Sequence, residues 1–118
     1  MALMLKKPNR LTDKFQFNVT RKYGKKLVFP YFNIYFVQPK NYQGKTKVGI
    51  VVSNKISKLA TKRNLVKRQI REAARNAVTT LPNNLWISIY VNPIILGKNY
   101  EEISSSINKA LQEISISH

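Results

Sequence analysis

Between Asp13 and Glu72 the chain carries no acidic residue, yet it is patterned throughout like folded protein. Nineteen of its 21 lysines and arginines fall within residues 1–75; the whole sequence holds only 5 acids, for a formal net charge of +16. Residues 76–118 are close to neutral, with Lys98 and Lys109 against Glu101, Glu102 and Glu113. A basic tail would gather its charge at one end, in polar low-complexity sequence. Here the cations alternate with apolar residues in strand-like and helix-like order, so the fold needs one positive side and one near-neutral side. A body of 118 residues with this much like charge repels itself unless a polyanion shares its surface. Nucleic acid is the common polyanion, and an acidic membrane surface the rarer one.

The length leaves room for one domain over residues 1–118, with 1–9 as a flexible basic N-terminal segment. There is no cysteine, hence no disulfide, thiolate metal site or thiol nucleophile. No apolar run reaches the length of a membrane span. The opening Met1-Ala2-Leu3-Met4-Leu5, with Lys6 and Lys7 after it, has the wrong order for a secretory signal. The cytoplasm, with no membrane partner, is the expected compartment.

Leu11 to Tyr23 reads as a helix with Thr12 or Asp13 as N-cap and Gly24 as terminator. Phe29 to Val37 is aromatic and β-branched, a strand with Pro30 at its start. Phe32, Ile34 and Phe36 are its core side; Asn33, Tyr35 and Val37 face the other way. A polar turn over residues 40–45 leads to a second strand, Thr46 to Ser53, expected to pair with the first as an antiparallel hairpin. Leu59 to about Thr79 is the longest helix, ended by Pro82-Asn83-Asn84. Leu85 to Val91 is nearly continuous in apolar residues, as befits the middle of a sheet. Tyr100 to about Ile114 closes the chain as an amphipathic helix with Ile103, Ile107, Ala110, Leu111 and Ile114 on one face. The order helix, strand, strand, helix, strand, helix predicts an α+β domain, a mixed sheet with helices packed on it.

On a wheel at about 100° per residue, Ile70, Ala73 and Ala77 lie within about 40° of Val66. Asn64, Arg68, Arg71 and Arg75 lie opposite, between about 140° and 200°, with Lys67 at the edge. Glu72 stands beside this stripe, four residues from Arg68 and able to clamp it. A mixed-charge face of this kind is usually just solvated. This one is not mixed, and the rigid donor fork of arginine suits phosphate.

The same stretch, Ser53 to Glu72, resembles the signature of the bacterial ribonuclease P protein family. There Val-Ser-Lys-Lys is followed by Arg-Asn-Arg-x-Lys-Arg-x-x-Arg-Glu; here the matches are Val52, Ser53, Lys55, Arg63, Asn64, Lys67, Arg68, Arg71 and Glu72. Leu65 stands where the family has arginine and Asn54 where it has lysine. Arg10-Leu11, Phe17, Gly24, Phe32 to Tyr35, Lys47 to Ile50 and Asn99 to Ile103 fit the family's flanking elements. The resemblance implies a fold like the second domain of ribosomal protein S5, with a left-handed crossover against the usual rule. It implies contact of Lys55, Lys58, Lys62, Arg63, Asn64, Lys67, Arg68, Arg71 and Arg75 with the catalytic RNA of ribonuclease P, one protein per RNA. It also implies a cleft for the single-stranded 5′ leader of precursor tRNA, with Phe17 and Tyr35 at aromatic positions and Arg21 where a second ring usually stands. Without the resemblance, Phe17 reads equally as a core aromatic and Tyr35 as a residue on a partly covered strand face.

The chain offers little for catalysis by protein groups. Its single histidine, His118, is the last residue, and Glu101 and Glu102 are adjacent at a helix start and cannot face one site together. No catalytic residue and no protein-held metal is expected; Mg2+ would be held mainly by the RNA subunit, as the resemblance also implies. Charge and fold would equally permit a structural RNA-binding protein of the ribosome or its assembly. A membrane-surface protein fits less well, for want of a helix with bulky apolar residues opposite its lysines.

Overall fold

The computed structural model describes residues 10–117. Its elements are α1 (Lys14–Tyr23), β1 (Lys25–Val28), β2 (Phe32–Val37), β3 (Lys47–Val51), α2 (Ala60–Ala77), β4 (Trp86–Val91) and α3 (Tyr100–Ser117), with short 3₁₀ turns at Val78–Thr80 and Pro93–Ile95. The expected N-terminal segment 1–9 and His118 lie outside the described residues.

The strands form one sheet in the order β1-β2-β4-β3. β2 pairs antiparallel with both β1 and β4, and β3 pairs parallel with β4. This corrects the expected hairpin, because β4 inserts between β2 and β3. The hairpin partner of β2 is instead β1, formed by Lys25-Lys26-Leu27-Val28, which carries little strand signature. Pro30 sits in the turn between β1 and β2, where its missing N–H costs the ladder nothing.

Strand alternation sets the two faces of the sheet. Phe32, Ile34, Phe36, Val48, Ile50, Ile87, Ile89 and Val91 form one face, all buried in a single core. α2 brings Val66, Ile70, Ala73 and Ala74 to that core, and α3 brings Ile103, Ile107, Ala110, Leu111 and Ile114. The small Ala73 and Ala74 let α2 and α3 approach closely.

The second face carries α1. Asp13 caps it, its Oδ1 accepting from the Phe15 N–H at 2.8 Å. Gly24 ends it, but not through a left-handed turn: its φ is −80°. A Cβ there would press on the Thr20 carbonyl and lie 2.7 Å from the Phe36 carbonyl oxygen, so the glycine is required by close approach to the sheet. Below α1, Gly49, Ser88 and Tyr35 form one cross-strand row, and the Phe17 ring lies where a Cβ on Gly49 would be. Small residues at two of three positions make room for the helix.

The loop before β3 is stitched to the loop before β4. Gly44 N–H donates to Asn84 Oδ1 and Asn84 N–H to the Gly44 carbonyl, each at 2.8 Å. Asn84 adopts φ 73°, a left-handed conformation that asparagine tolerates better than most residues. Tyr42, whose hydroxyl donates to the Lys45 carbonyl, covers Trp86 with ring centroids 5.4 Å apart.

Candidate nucleic-acid interface

The cations of α2 form two rows rather than one stripe. Arg63, Lys67, Arg71 and Arg75, spaced four apart, are all half-buried; Asn64 and Arg68 are exposed beside them. No hydrogen bond or ion pair joins Glu72 to Arg68 among the described residues, so the expected clamp is absent. The acids are too dispersed to gather: no group of three or more His, Cys, Asp or Glu side chains occurs among the described residues.

Each residue of the inner row has its own setting. Arg63 Nη1 donates to the Ser57 carbonyl at 2.8 Å, bracing the turn before α2. Lys67 and Arg71 line a groove of about 210 Å³ together with Arg10, Phe17 and Gly49. Burial, and then the neighbouring Arg10 charge, push the Arg71 pKa below its usual value. Arg75 keeps its Nε buried without a hydrogen-bond partner, a donor that contributes little to an outward stripe. Lys58 and Lys62 are exposed near the start of the helix. Lys55 is exposed as well but belongs to a different surface.

That surface is a cleft of about 410 Å³ on the α1 face of the sheet, lined by Arg21, Asn33, Tyr35, Val51, Ser53, Lys55, Tyr90 and Val91. Tyr35 and Tyr90 meet edge to face, centroids 5.5 Å apart at 66°. The Arg21 guanidinium carbon lies 5.2 Å from the Tyr90 centroid and 6.0 Å from that of Tyr35. Arg21 is exposed in the last turn of α1, where a cation also complements the helix dipole. Two half-buried rings with a guanidinium at hand offer stacking and phosphate attraction together.

The structure separates the three expected cleft residues. Arg21 and Tyr35 share the cleft; Phe17 lines the neighbouring groove instead, held there by contact with Gly49. Tyr90 and Asn33 were not singled out in sequence. Trp86, Ser88 and Tyr90 do alternate with Ile87, Ile89 and Val91, but isoleucine on the core side and tryptophan on the other hide the alternation in one apolar run. Arg10 was missed as a neighbour of Arg71, because nothing local links the start of the chain to the middle of α2.

The family model described as Ribonuclease P matches residues 5–115. The chain is 37% identical over 73 residues to the ribonuclease P protein component of Pseudanabaena sp. (strain PCC 6903), covering 62% of this chain and 63% of that protein, less than two thirds of its length. It is 28% identical over 112 residues to the ribonuclease P protein component of Synechococcus sp. (strain JA-2-3B'a(2-13)), covering 93% of this chain and 84% of the relative. The RNase P protein of Staphylococcus aureus shares the fold, with a TM-score of 0.80 at 22% identity, over 95% of this chain and 100% of that one.

Proposed function

Because the chain belongs to the ribonuclease P protein family, we propose that it is the protein subunit of a ribonuclease P ribonucleoprotein, assisting endonucleolytic removal of the 5′ leader from precursor tRNA. The observation that carries this reading is the Arg21–Tyr35–Tyr90 cluster, set in an open cleft beside a basic helix. A protein that only braced duplex backbone would need the helix but not the stacking site.

On this reading α2 binds the catalytic RNA, one protein per RNA. Arg68 and Asn64 present exposed donors, while Lys67 and Arg71, crowded with Arg10, are relieved when a phosphate enters their groove. The leader lies in the cleft, its bases against Tyr35 and Tyr90 and its phosphates toward Arg21 and Lys55. The protein thereby screens RNA–RNA repulsion and holds the leader so that the scissile phosphate stays at the metal site of the RNA. Mg2+ is held by RNA phosphates. Of the five acids, Asp13 caps α1 and Glu102 accepts from the Tyr31 hydroxyl at 3.3 Å. No helix among the described residues is long and apolar enough to cross a membrane; the cytoplasm, where tRNA precursors are made in bacteria, is the compartment this function requires.

Mixing the protein with a bacterial ribonuclease P RNA at low magnesium should give correct 5′ processing that neither component gives alone. Tyr35→Ala should weaken binding of leader-bearing precursor by at least about fivefold, the loss of one base stack, and leave mature tRNA binding unchanged. Equal losses for both RNAs would remove the cleft from the mechanism.

A further inference from the structure

The register of the sheet continues the cleft beyond the residues that enclose it. On the α1 face, Val51, Tyr90, Asn33 and Val28 are successive cross-strand neighbours on β3, β4, β2 and β1. Gly49, Ser88, Tyr35 and Lys26 form the adjacent row. α1 covers the Gly49 end of that second row and leaves its Tyr35–Lys26 end open. The first row therefore floors a trough across all four strands, about 14 Å from β3 to β1 at ordinary strand spacing.

The two ends of the trough differ. Ser53 and Lys55 stand at the β3 end, a few residues before α2, and the groove holding Lys67 and Arg71 also borders β3 at Val48, Gly49 and Ile50. At the β1 end Val28 is 69% exposed. The Lys26 ammonium lies 5.8 Å from the Tyr35 ring centroid, the same ring that Arg21 approaches at 6.0 Å. Two cations on one ring repel each other, and an anion reaching both lowers the energy of each. No acid occurs in the sequence between Asp13 and Glu72 to serve as that anion from a neighbouring element.

We propose that Lys26 and Val28 form a second subsite for single-stranded RNA, holding leader nucleotides upstream of those at Tyr35 and Tyr90; this rests on the leader-binding reading above. The leader then has a fixed polarity on the protein. Nucleotides next to the cleavage site enter beside Lys55, on the side where α2 meets the catalytic RNA, and the 5′ end leaves over β1. The Lys26 ammonium attracts a phosphate at the exit, and Val28 supplies an apolar wall for the last enclosed base.

The test uses the reconstituted holoenzyme and two precursor tRNAs, one whose leader ends within the cleft and one extended upstream by several nucleotides. The double variant Lys26→Ala, Val28→Ser should bind the short-leader precursor as the parent does. It should bind the extended one about tenfold more weakly, as expected for one charge-assisted contact. In the unaltered protein, a photoreactive nucleotide at the 5′ end of the extended leader should crosslink to residues 25–28. Unchanged affinity for both precursors, an equal loss for both, or crosslinks on the β3 side would overturn the proposal. If Lys26 serves only to guard an edge strand, its replacement costs solubility and leaves leader-length dependence intact. Tyr35→Ala in the same assay separates the two ideas: a leader effect there with none at Lys26 sinks the exit alone, and no leader effect at Tyr35 sinks the cleft itself.

Discussion

Arg71 is a cation held at some expense to the free fold. Its depressed pKa means that the folded chain disfavours the charged guanidinium. That cost is present at pH values below the folded pKa and fades as pH rises through it. Replacing the charge while keeping the stem, as in Arg71→Met, should therefore raise the melting temperature at low salt. The gain should shrink as salt screens Arg10. The same variant should bind the catalytic RNA more weakly, so calorimetry and an RNA titration move in opposite directions. A lower melting temperature at low salt would show that the guanidinium stabilises the fold. The role of Arg71 as a cation of the helix was readable from its wheel position; its crowding with Arg10 was not, since that contact joins residues 61 positions apart in sequence.

At the scale of elements, the seating of α1 decides where the cleft lies. The Phe17 ring occupies the space above Gly49, and a Cβ there would also come within 2.8 Å of the Leu11 carbonyl oxygen. Gly49→Ala should therefore cost about 1–3 kcal/mol in urea unfolding and, by lifting α1 from the sheet, should weaken leader binding as well. A neutral result would mean that α1 is not held by this contact. The helices were legible from their ends and, in α2 and α3, from a periodic apolar face: Asp13 and Gly24 bound α1, and the five predicted apolar positions of α3 are all buried. The strands were legible as strands, except β1. Its Lys25 and Lys26 mask the period-two signal, and it becomes a strand because β2 offers it an edge.

For the whole molecule, the separation of charge from neutrality is the dominant property. The α2 rows and the trough present cations on elements before residue 76, while the outer surface of α3 carries Glu101, Glu102 and Glu113 against Lys109 alone. Binding to the catalytic RNA should fall by about 10³–10⁵ between 50 and 200 mM salt if six to ten phosphates are neutralised. Arg68→Ala should reduce the slope of that dependence by about one, whereas Lys109→Ala should leave it unchanged. Identical slopes for both variants would mean that the field of the molecule acts without a defined face.

Local pattern alone determined the charged side, the buried faces of α2 and α3, the inward residues of β2 and the membership of α2 in an RNA-binding signature, because these depend on spacing along the chain. Strand order, the entry of β4 between β2 and β3, the pairing of Tyr35 with Tyr90 and the removal of Phe17 from their cleft were decided by tertiary structure. The physical reason is that periodicity reports which face an element buries but not which element lies next to it. A parallel β3–α2–β4 crossover brings together residues whose sequence neighbours carry no trace of the contact.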